Sequence, residues 1–537
     1  MMGKPQKKND AQQFWNRYVH YSFDWVLVVL SALAISTAYH GEDRFWIAWT
    51  GLVPSFWILY RSTPSRAFRC GAFLSALKCI IIWFWVITVT EYMLKTIWSG
   101  IIFLAGLSLF YALFFGVLYA LLCHLIQTFN KGKHSRLTAL LTGVAGASLW
   151  VVFEFLYTNL LTLTGQVMPL GISYTQGAHP VILQIASITG HYGVSFLIIL
   201  FNMSLAHDLW ERRFLITPLA TVLVFVCITF GYLRIHLSIS PPSDTAVKVA
   251  ILQGNIPPYE KFDQNKANFL AHRYIELGQL SNRVKPQLIV WTEAAIPWPL
   301  REDDDLMTTM LKVTAESGAY HILGTTLEVP GESNTYYNTV LFVHPDGSIT
   351  SQYNKRHLLT FVEKTIRIPF ITPASGTIHP ATRRYKPGTI SPVLHSPFGR
   401  IGVMVCNESL YPASARQSVL QGAKFIVLLA NDIWFREDIP IDCHFWVTLF
   451  RAVETGRDLL IANNAGNSAI VDAFGRIIMR SPKRIHSCVS GTIYKRTEKT
   501  IYVRWGDIFA LVCGGISLFT ITYSFFYRIR KLAYHQN

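Results

Sequence analysis

Long apolar runs and short alternating ones divide this chain into unequal parts. A helix needs about 20 predominantly apolar residues to cross a bilayer. Seven runs of that kind fall in the first 240 residues, at approximately 22–40, 46–60, 71–93, 99–127, 137–163, 191–208 and 214–233. The texture changes at Ser240-Pro241-Pro242-Ser243-Asp244, a linker-like stretch. From about 245 to 502, short β-rich runs such as Val247–Gln253, Leu288–Thr292 and Phe425–Leu429 alternate with helical patterns and Gly/Pro turns. One more apolar run, about 505–526, ends in Arg528-Ile529-Arg530-Lys531. The pattern predicts a seven-span bundle over 1–240, an α/β domain over 245–502, and an eighth span with a basic tail over 503–537.

Composition agrees. Of 537 residues, 51% are hydrophobic and 15% charged. Soluble domains carry roughly 25% charged residues, and disordered chains are poor in apolar ones, so both classes are excluded. Met1 to Arg17 is polar, the first apolar run begins late, and no small-residue cleavage site follows. The start is therefore expected to be an anchored helix rather than a cleaved signal peptide.

Net charge is +16, which on its own suits nucleic acid, anionic lipid or membrane topology. Its distribution chooses the last. With the N-terminus inside, the inner segments hold Lys4, Lys7, Lys8, Arg17, Arg61, Arg66, Arg69, Lys131, Lys133, Arg136, Arg212, Arg213, Arg528, Arg530 and Lys531. The short outer segments hold only Arg44, Lys95 and Arg234. Inner loops are the cation-rich ones in membrane proteins. The expectation is cytoplasmic N- and C-termini and a 245–502 domain outside, in the periplasm of a Gram-negative-type cell. Nucleic-acid binding has no motif support, and the domain faces the wrong side for it.

Two charges sit inside expected spans. Lys78 is close enough to the inner end to snorkel. Glu154 is expected to tie helices together or orient the loop that follows. Cys70, Cys79, Cys123, Cys227 and Cys513 lie in or beside spans as small apolar fillers. Cys406, Cys443 and Cys488 belong to the α/β domain, and whether Cys443 and Cys488 pair stays open. No CxxC, HExxH or HxH pattern occurs, so no metal site is predicted.

Three places could carry chemistry. The run Ile401-Gly402-Val403-Met404-Val405 ends at Cys406, with Asn407 and Glu408 next. Strand ends in α/β folds present reactive groups, and a thiol needs a base or a positive field to react. A buried core cysteine is the alternative. The run Leu288-Ile289-Val290-Trp291-Thr292 ends at Glu293, either a helix-cap neighbour or a general base. Lys355 lies in the basic stretch Tyr353-Asn354-Lys355-Arg356-His357, with Glu363 eight residues on; a solvated loop is the alternative.

The order Glu…Lys…Cys and the local sequences WTEAAIP, YNKRHL and VCNES resemble the nitrilase superfamily. That resemblance implies an αββα sandwich with Glu293 as general base, Lys355 as oxyanion stabiliser and Cys406 as nucleophile. Such a domain on an eight-span anchor is similar to the apolipoprotein N-acyltransferase family. The likeness extends through Trp150-x3-Glu154, Leu170-Gly171-Ile172-Ser173-Tyr174-Thr175-Gln176, Gln253-Gly254-Asn255-Ile256-Pro257 and Asn431-Asp432-x-Trp434-Phe435. It continues at His444, Arg451-Ala452-x-Glu454, Asn463-Asn464-x-Gly466 and Tyr502-x-Arg504-x-Gly506-Asp507. The chain departs from the family at Asn407, where Tyr is usual, at Thr360-Phe361-Val362-Glu363, at Gln166-Val167-Met168, and at Phe262, where a Trp near bound lipid is usual.

The resemblance implies a two-step acyl transfer without a cofactor. A membrane phospholipid would donate its sn-1 chain to Cys406. The α-amino group of a diacylglyceryl-cysteine at a lipoprotein N-terminus would accept it. Glu363, Glu408 and Asn407 would support the triad, the two acids by positioning Lys355 and the amine. Phe262, Trp298, Trp434 and Phe435 would face lipid, with plain core packing as the alternative for the last three. The chain is expected to act as a monomer in a bacterial inner membrane. Two competing expectations are a tethered amide hydrolase with the same triad, and a transporter or scaffold whose outer domain only binds.

Overall fold

A computed structural model describes residues 6–94, 96–129, 135–163, 170–238, 241–261, 264–299, 318–359, 363–364, 384–389 and 392–534. The expected residues Phe262 and Val362 lie outside these. The amino-terminal half is helical: α1 (Gln6–Ala38), α2 (Val53–Leu59), α3 (Pro64–Trp83), α4 (Val86–Leu94), α5 (Ile97–Phe129), α6 (Arg136–Leu163), α7 (Pro180–Leu183), α8 (Ala186–Thr189), α9 (His191–Glu211) and α10 (Thr217–His236). Four of these, α5, α6, α9 and α10, are long and apolar enough to cross a membrane, and Ile508–Tyr527 near the carboxyl end is a fifth. Phe225, Leu518 and Phe519 point outward with about two-thirds or more of their surface uncovered. Such apolar exteriors suit lipid as solvent.

Two expected spans are not continuous helices. The run 46–60 forms a 3-10 helix, Glu42–Trp49, and then the two-turn α2. Pro54 supplies no N–H and begins a new helix. The broken backbone is satisfied by Asn202 of α9. Its amide donates to the Ala48 carbonyl at 2.9 Å, and its carbonyl accepts from the Leu52 N–H at 3.0 Å. Non-helical backbone at membrane depth survives only when other protein groups serve it in this way. The run 71–93 starts earlier, at Pro64 behind the Thr63 cap, and breaks at Phe84 before α4.

The two intramembrane charges differ. Lys78 does not snorkel: it is 6% exposed, with its ammonium over the Phe115 ring at 5.4 Å. The α3–α5 packing closes over it. Glu154 accepts from Trp150 Nε1 and from the Ile172 N–H, both at 2.9 Å. It thereby ties α6 to the 3-10 turn Ile172–Gln176.

The second half is a four-layer sandwich. Its elements are β1 (Ala246–Gln253), α11 (Pro258–Lys261), α12 (Ala267–Asn282), β2 (Leu288–Trp291), β3 (Ile296–Pro299), β4 (Tyr320–Glu328), β5 (Thr335–Val343), β6 (Ile349–Asn354), β7 (Arg384–Tyr385), β8 (Val393–Leu394), β9 (Ile401–Val405), α13 (Pro412–Leu420), β10 (Phe425–Ala430), α14 (Asp438–Thr455), β11 (Leu459–Asn463), β12 (Ala469–Val471), β13 (Ile477–Arg480), β14 (Ser487–Tyr494) and α15 (Ile501–Trp505). The closing helix α16 spans Ile508–Tyr534. One sheet runs β14-β1-β2-β4-β5-β6, with β3 beside β4 and β7 beside β5. The other runs β13-β12-β11-β10-β9-β8.

Alternation along each strand builds the layers. Val247, Val249 and Ile251 meet Val403, Val405, Val427 and Leu429 between the sheets. Ala250, Leu252, Ile289 and Trp291 turn to the other face, against Leu270, Tyr274 and Leu277 of α12. Met404, Ile426 and Leu428 turn toward α13 and α14. This is the αββα arrangement expected.

Helix α14 joins the halves. Val447, Phe450 and Val453 belong to the core of the bundle, while Phe445, Leu449 and Ala452 cover the second sheet. Glu454 accepts from the His191 N–H at 3.1 Å and pairs with Arg451 at 3.2 Å, all three fully covered. The covered polar cluster holds the sandwich in one orientation on α9.

Candidate active site

Cys406 ends β9 at a forced turn. Ile401, Val403 and Val405 face the inter-sheet core, so alternation would send the next side chain outward. Cys406 instead has φ +51°, which turns its thiol back against the inter-sheet cluster. For a non-glycine residue that backbone state is sparsely populated, and such strain concentrates at functional sites.

Two groups hold this turn. Glu408 is fully covered and accepts four hydrogen bonds: from Val405 N–H, Tyr353 hydroxyl and Arg356 N–H at 2.8 Å, and from His357 N–H at 3.1 Å. Burial pushes its carboxyl pKa up, against those donors. It therefore ties the cysteine turn to the loop after Lys355. Both its oxygens are occupied from within, which removes it from contact with an incoming amine. His444 stands on the other side. Its Nδ1 lies 3.0 Å from Asp432, and its Nε2 lies 3.2 Å from the Cys406 carbonyl and 2.9 Å from Ser409 Oγ. Burial pulls its pKa down, but the Asp432 carboxylate more than offsets this and holds it above the ordinary value. A protonated ring donates from both nitrogens.

The charged groups come from the first sheet. Glu293 follows β2 and Lys355 follows β6. Lys355 Nζ lies 2.8 Å from Glu363 and 3.5 Å from Glu293. Asn338 on β5 bridges the acids: its amide donates to Glu293 Oε1 and Glu363 Oε1, each at 2.8 Å. Glu363 also accepts from the Leu359 N–H at 2.8 Å. Burial would lower the Lys355 pKa, but Glu363 first and Glu293 next raise it above its ordinary value, so this amine stays charged. Gly324 of β4 makes room for the Glu293 turn. A Cβ there would sit 2.4 Å from the Thr292 carbonyl oxygen and 3.0 Å from Glu293 Cα.

Burial, then the Glu293 carboxylate, push the Cys406 thiol pKa well up, with Lys355 opposing. At rest the group is a thiol. Among the described residues no cluster of three or more His, Cys, Asp or Glu could hold a metal ion. All eight cysteines are free thiols, so Cys443 and Cys488 do not pair.

Of the expected residues, Glu293, Lys355, Glu363, Cys406, Asn407 and Glu408 gather in one place. Asn407 is 7% exposed and donates to the His357 carbonyl at 3.1 Å, which makes it part of the wall. Phe435 stands edge-on to Trp85 at 5.0 Å and packs against the bundle. Trp434 is partly covered, in the turn before it. Trp298 packs on the outer face of the first sheet, with the cluster that holds Leu270 and Tyr274. It is half-buried there. Asn338 and Lys261, which donates to the Glu293 carbonyl at 2.7 Å, were not singled out by sequence. Asn338 had a signal: it is two residues before Val340 on the inter-sheet face, where a polar side chain is out of place.

Comparison with known proteins covers both halves. Residues 248–502 match the family Carbon-nitrogen hydrolase, and residues 31–204 match the Apolipoprotein N-acyltransferase N-terminal domain. An apolipoprotein N-acyltransferase of Geobacter metallireducens is 27% identical over 526 residues, 96% of this chain and 97% of that one. One from Nostoc sp. is 28% identical over 513 residues, 93% of this chain and 91% of its own. One from Thermotoga maritima is 29% identical over 384 residues, 70% of each chain.

Proposed function

This chain belongs to the apolipoprotein N-acyltransferase family, and from that premise we propose that it moves an acyl chain from a membrane phospholipid to a lipoprotein amine through Cys406. Glu293 takes the thiol proton. The sulfur attacks the sn-1 ester carbonyl, forming the S–C bond, and the C=O electron pair moves onto oxygen. Lys355 stabilises that oxyanion; one such donor is typically worth about 2.7–4 kcal/mol. Collapse breaks the C–O bond, and Glu293 returns its proton to the departing glycerol oxygen. A lysophospholipid leaves and a thioester remains. The α-amino group of an S-diacylglyceryl-cysteine then attacks. The N–C bond forms, Glu293 takes the amine proton, the C–S bond breaks, and the sulfur is reprotonated.

The observation that carries this reading is Lys355 Nζ held between Glu363 at 2.8 Å and Glu293 at 3.5 Å, across from a cysteine in a forced turn. The bundle supports lipid substrates, since a thioester lasts only where water is excluded. Phe435 against Trp85 brings the sandwich rim to helix α4. The cation distribution supports cytoplasmic termini and a catalytic domain on the outer, periplasmic side of a bacterial membrane.

The test supplies phospholipid and a diacylated lipopeptide to purified protein. Triacylated peptide with lysophospholipid is expected. Free fatty acid without acylated peptide would overturn acyl transfer in favour of hydrolysis. Unchanged function in Cys406→Ala would overturn both.

A further inference from the structure

One charged group beside the triad has no role in the steps above. Lys261 closes the single turn α11 after β1, and it is among the largest fully covered side chains. Its hydrogen bond goes to the backbone carbonyl of Glu293, at 2.7 Å. Among the described residues, no carboxylate is close enough to form an ion pair with it. A covered ammonium without a carboxylate partner costs several kcal/mol. Replacing it with an apolar side chain would recover that cost, so its presence needs a reason beyond packing.

Charge balance supplies one. Lys355 is in contact with two carboxylates, Glu293 and Glu363. One ammonium against two carboxylates leaves a net −1 beside a thiol that must become an anion. A second ammonium makes the set neutral. Burial lowers the Lys261 pKa to about 8, with Glu293 and then Cys406 opposing. Its charge is therefore felt at both reacting groups.

We propose that Lys261 is a positioning residue of the acyl-transfer site, anchoring the Glu293 turn through its carbonyl and supplying the positive charge that lets Cys406 ionise. The inference rests on the acyl-transfer reading for its purpose, but its mechanism can be read on the thiol alone. The anchor meets a backbone already forced: Ala294, next to Glu293, has φ +45°. Pulled by Lys261 from one side and held by Asn338 at the carboxylate, Glu293 keeps one orientation toward the sulfur. The charged groups around Cys406 are Glu293, Lys355, Asp432 and Glu363, with His444 paired to Asp432 at 3.0 Å, so loss of Lys261 leaves Glu293 and Glu363 against Lys355 alone.

The experiment measures alkylation of Cys406 by iodoacetamide from pH 6 to 10 in the full-length protein, read on the Cys406 peptide by mass spectrometry. The variants are Lys261→Met, Lys261→Gln and Lys261→Arg. Removing the charge should slow alkylation at pH 7.5, where Lys261 is still mostly charged, about tenfold, and the gap from the parent should narrow as pH rises past about 8. Lys261→Arg should stay within about threefold of the parent. Lys261→Gln can keep a donor without the charge, so it should share the slowing, and it replaces Lys261→Met if that variant does not fold. Thioester formation with phospholipid should fall in parallel with the alkylation rate, while KM for phospholipid stays within about twofold. Folded Lys261→Met or Lys261→Gln with the parent's alkylation profile would overturn the proposal. Absence of any thioester in the parent protein would instead count against acyl transfer, and the alkylation profile would still judge Lys261.

Discussion

The two sheets of the sandwich contribute to the site in opposite ways. The first sheet delivers charge on a crowded hydrogen-bond network: Glu293, Lys355 and Asn338, with Glu363 reaching in from the loop beyond β6. The second delivers a single sulfur on a backbone turned into the left-handed region. Charges in low dielectric need partners, so that side is over-determined by bonds. The proposed nucleophile needs an open approach, and its side is fixed from behind, by Glu408 and His444, with no hydrogen bond to the thiol itself among the described residues. Preorganisation on one face and strain on the other are two solutions to one requirement, which is to have reacting groups in place before substrate arrives.

That contrast can be broken in graded steps. Lys355→Met on the first sheet should have the largest effect, cutting thioester formation by about 10²–10³-fold, as for loss of an oxyanion donor. Stopped-time release of lysophospholipid measures it, and a loss under tenfold would deny the lysine that role. Glu408→Gln comes next and strikes the joint between the sheets. Its amide would turn a donor toward other donors, costing about 2–3 kcal/mol. The expected result is a lowered melting temperature in detergent together with lost activity. Asn338→Ala should cost about tenfold in rate, because the two acids keep Lys355 but lose their shared bridge. If the rate is unchanged, the first sheet is less over-determined than described.

The smallest effect concerns acid. His321 of β4 accepts from Trp291 Nε1 at 3.2 Å and is held neutral, its pKa lowered by burial to about 4. An unfolded histidine takes a proton near pH 6.5. The unfolded chain thus binds protons first as pH falls, and stability drops between about 6.5 and 4, by roughly 1 kcal/mol per pH unit. His357, lowered to about 4, adds to this slope, and His444, raised by Asp432, opposes it. His321→Gln should flatten the fall in melting temperature over this window. A slope equal to the parent's would place the acid sensitivity elsewhere.

Much of this was legible along the chain, for identifiable reasons. Run lengths marked the bundle because lipid demands about 20 apolar residues per crossing. They did not mark the breaks after Trp49 and Trp83; the first depends on a partner from another helix, Asn202, and on Pro54 restarting the backbone. Lys78 looked free to snorkel until α3–α5 packing enclosed it. In the sandwich, Glu293 and Cys406 were visible because each ends a strand-like run, and Lys355 because a basic stretch stands between them in the order of the family. Trp298 was not decided by sequence, because a tryptophan near a motif looks alike whether it meets lipid or a helix; it packs in part against the α12 face. Lys261 gave no local signal, since a lysine in a turn is indistinguishable from a solvated one until the fold closes over it.

The central claim is that Cys406 carries the acyl chain. The most direct measurement incubates the protein with phospholipid and no acceptor, then digests it under conditions that preserve thioesters. A mass increase of one fatty acyl group on the Cys406 peptide, discharged by hydroxylamine and absent from Cys406→Ala, is the predicted result. An unmodified Cys406 peptide, in a preparation that nevertheless acylates lipopeptide when both substrates are supplied, would contradict it.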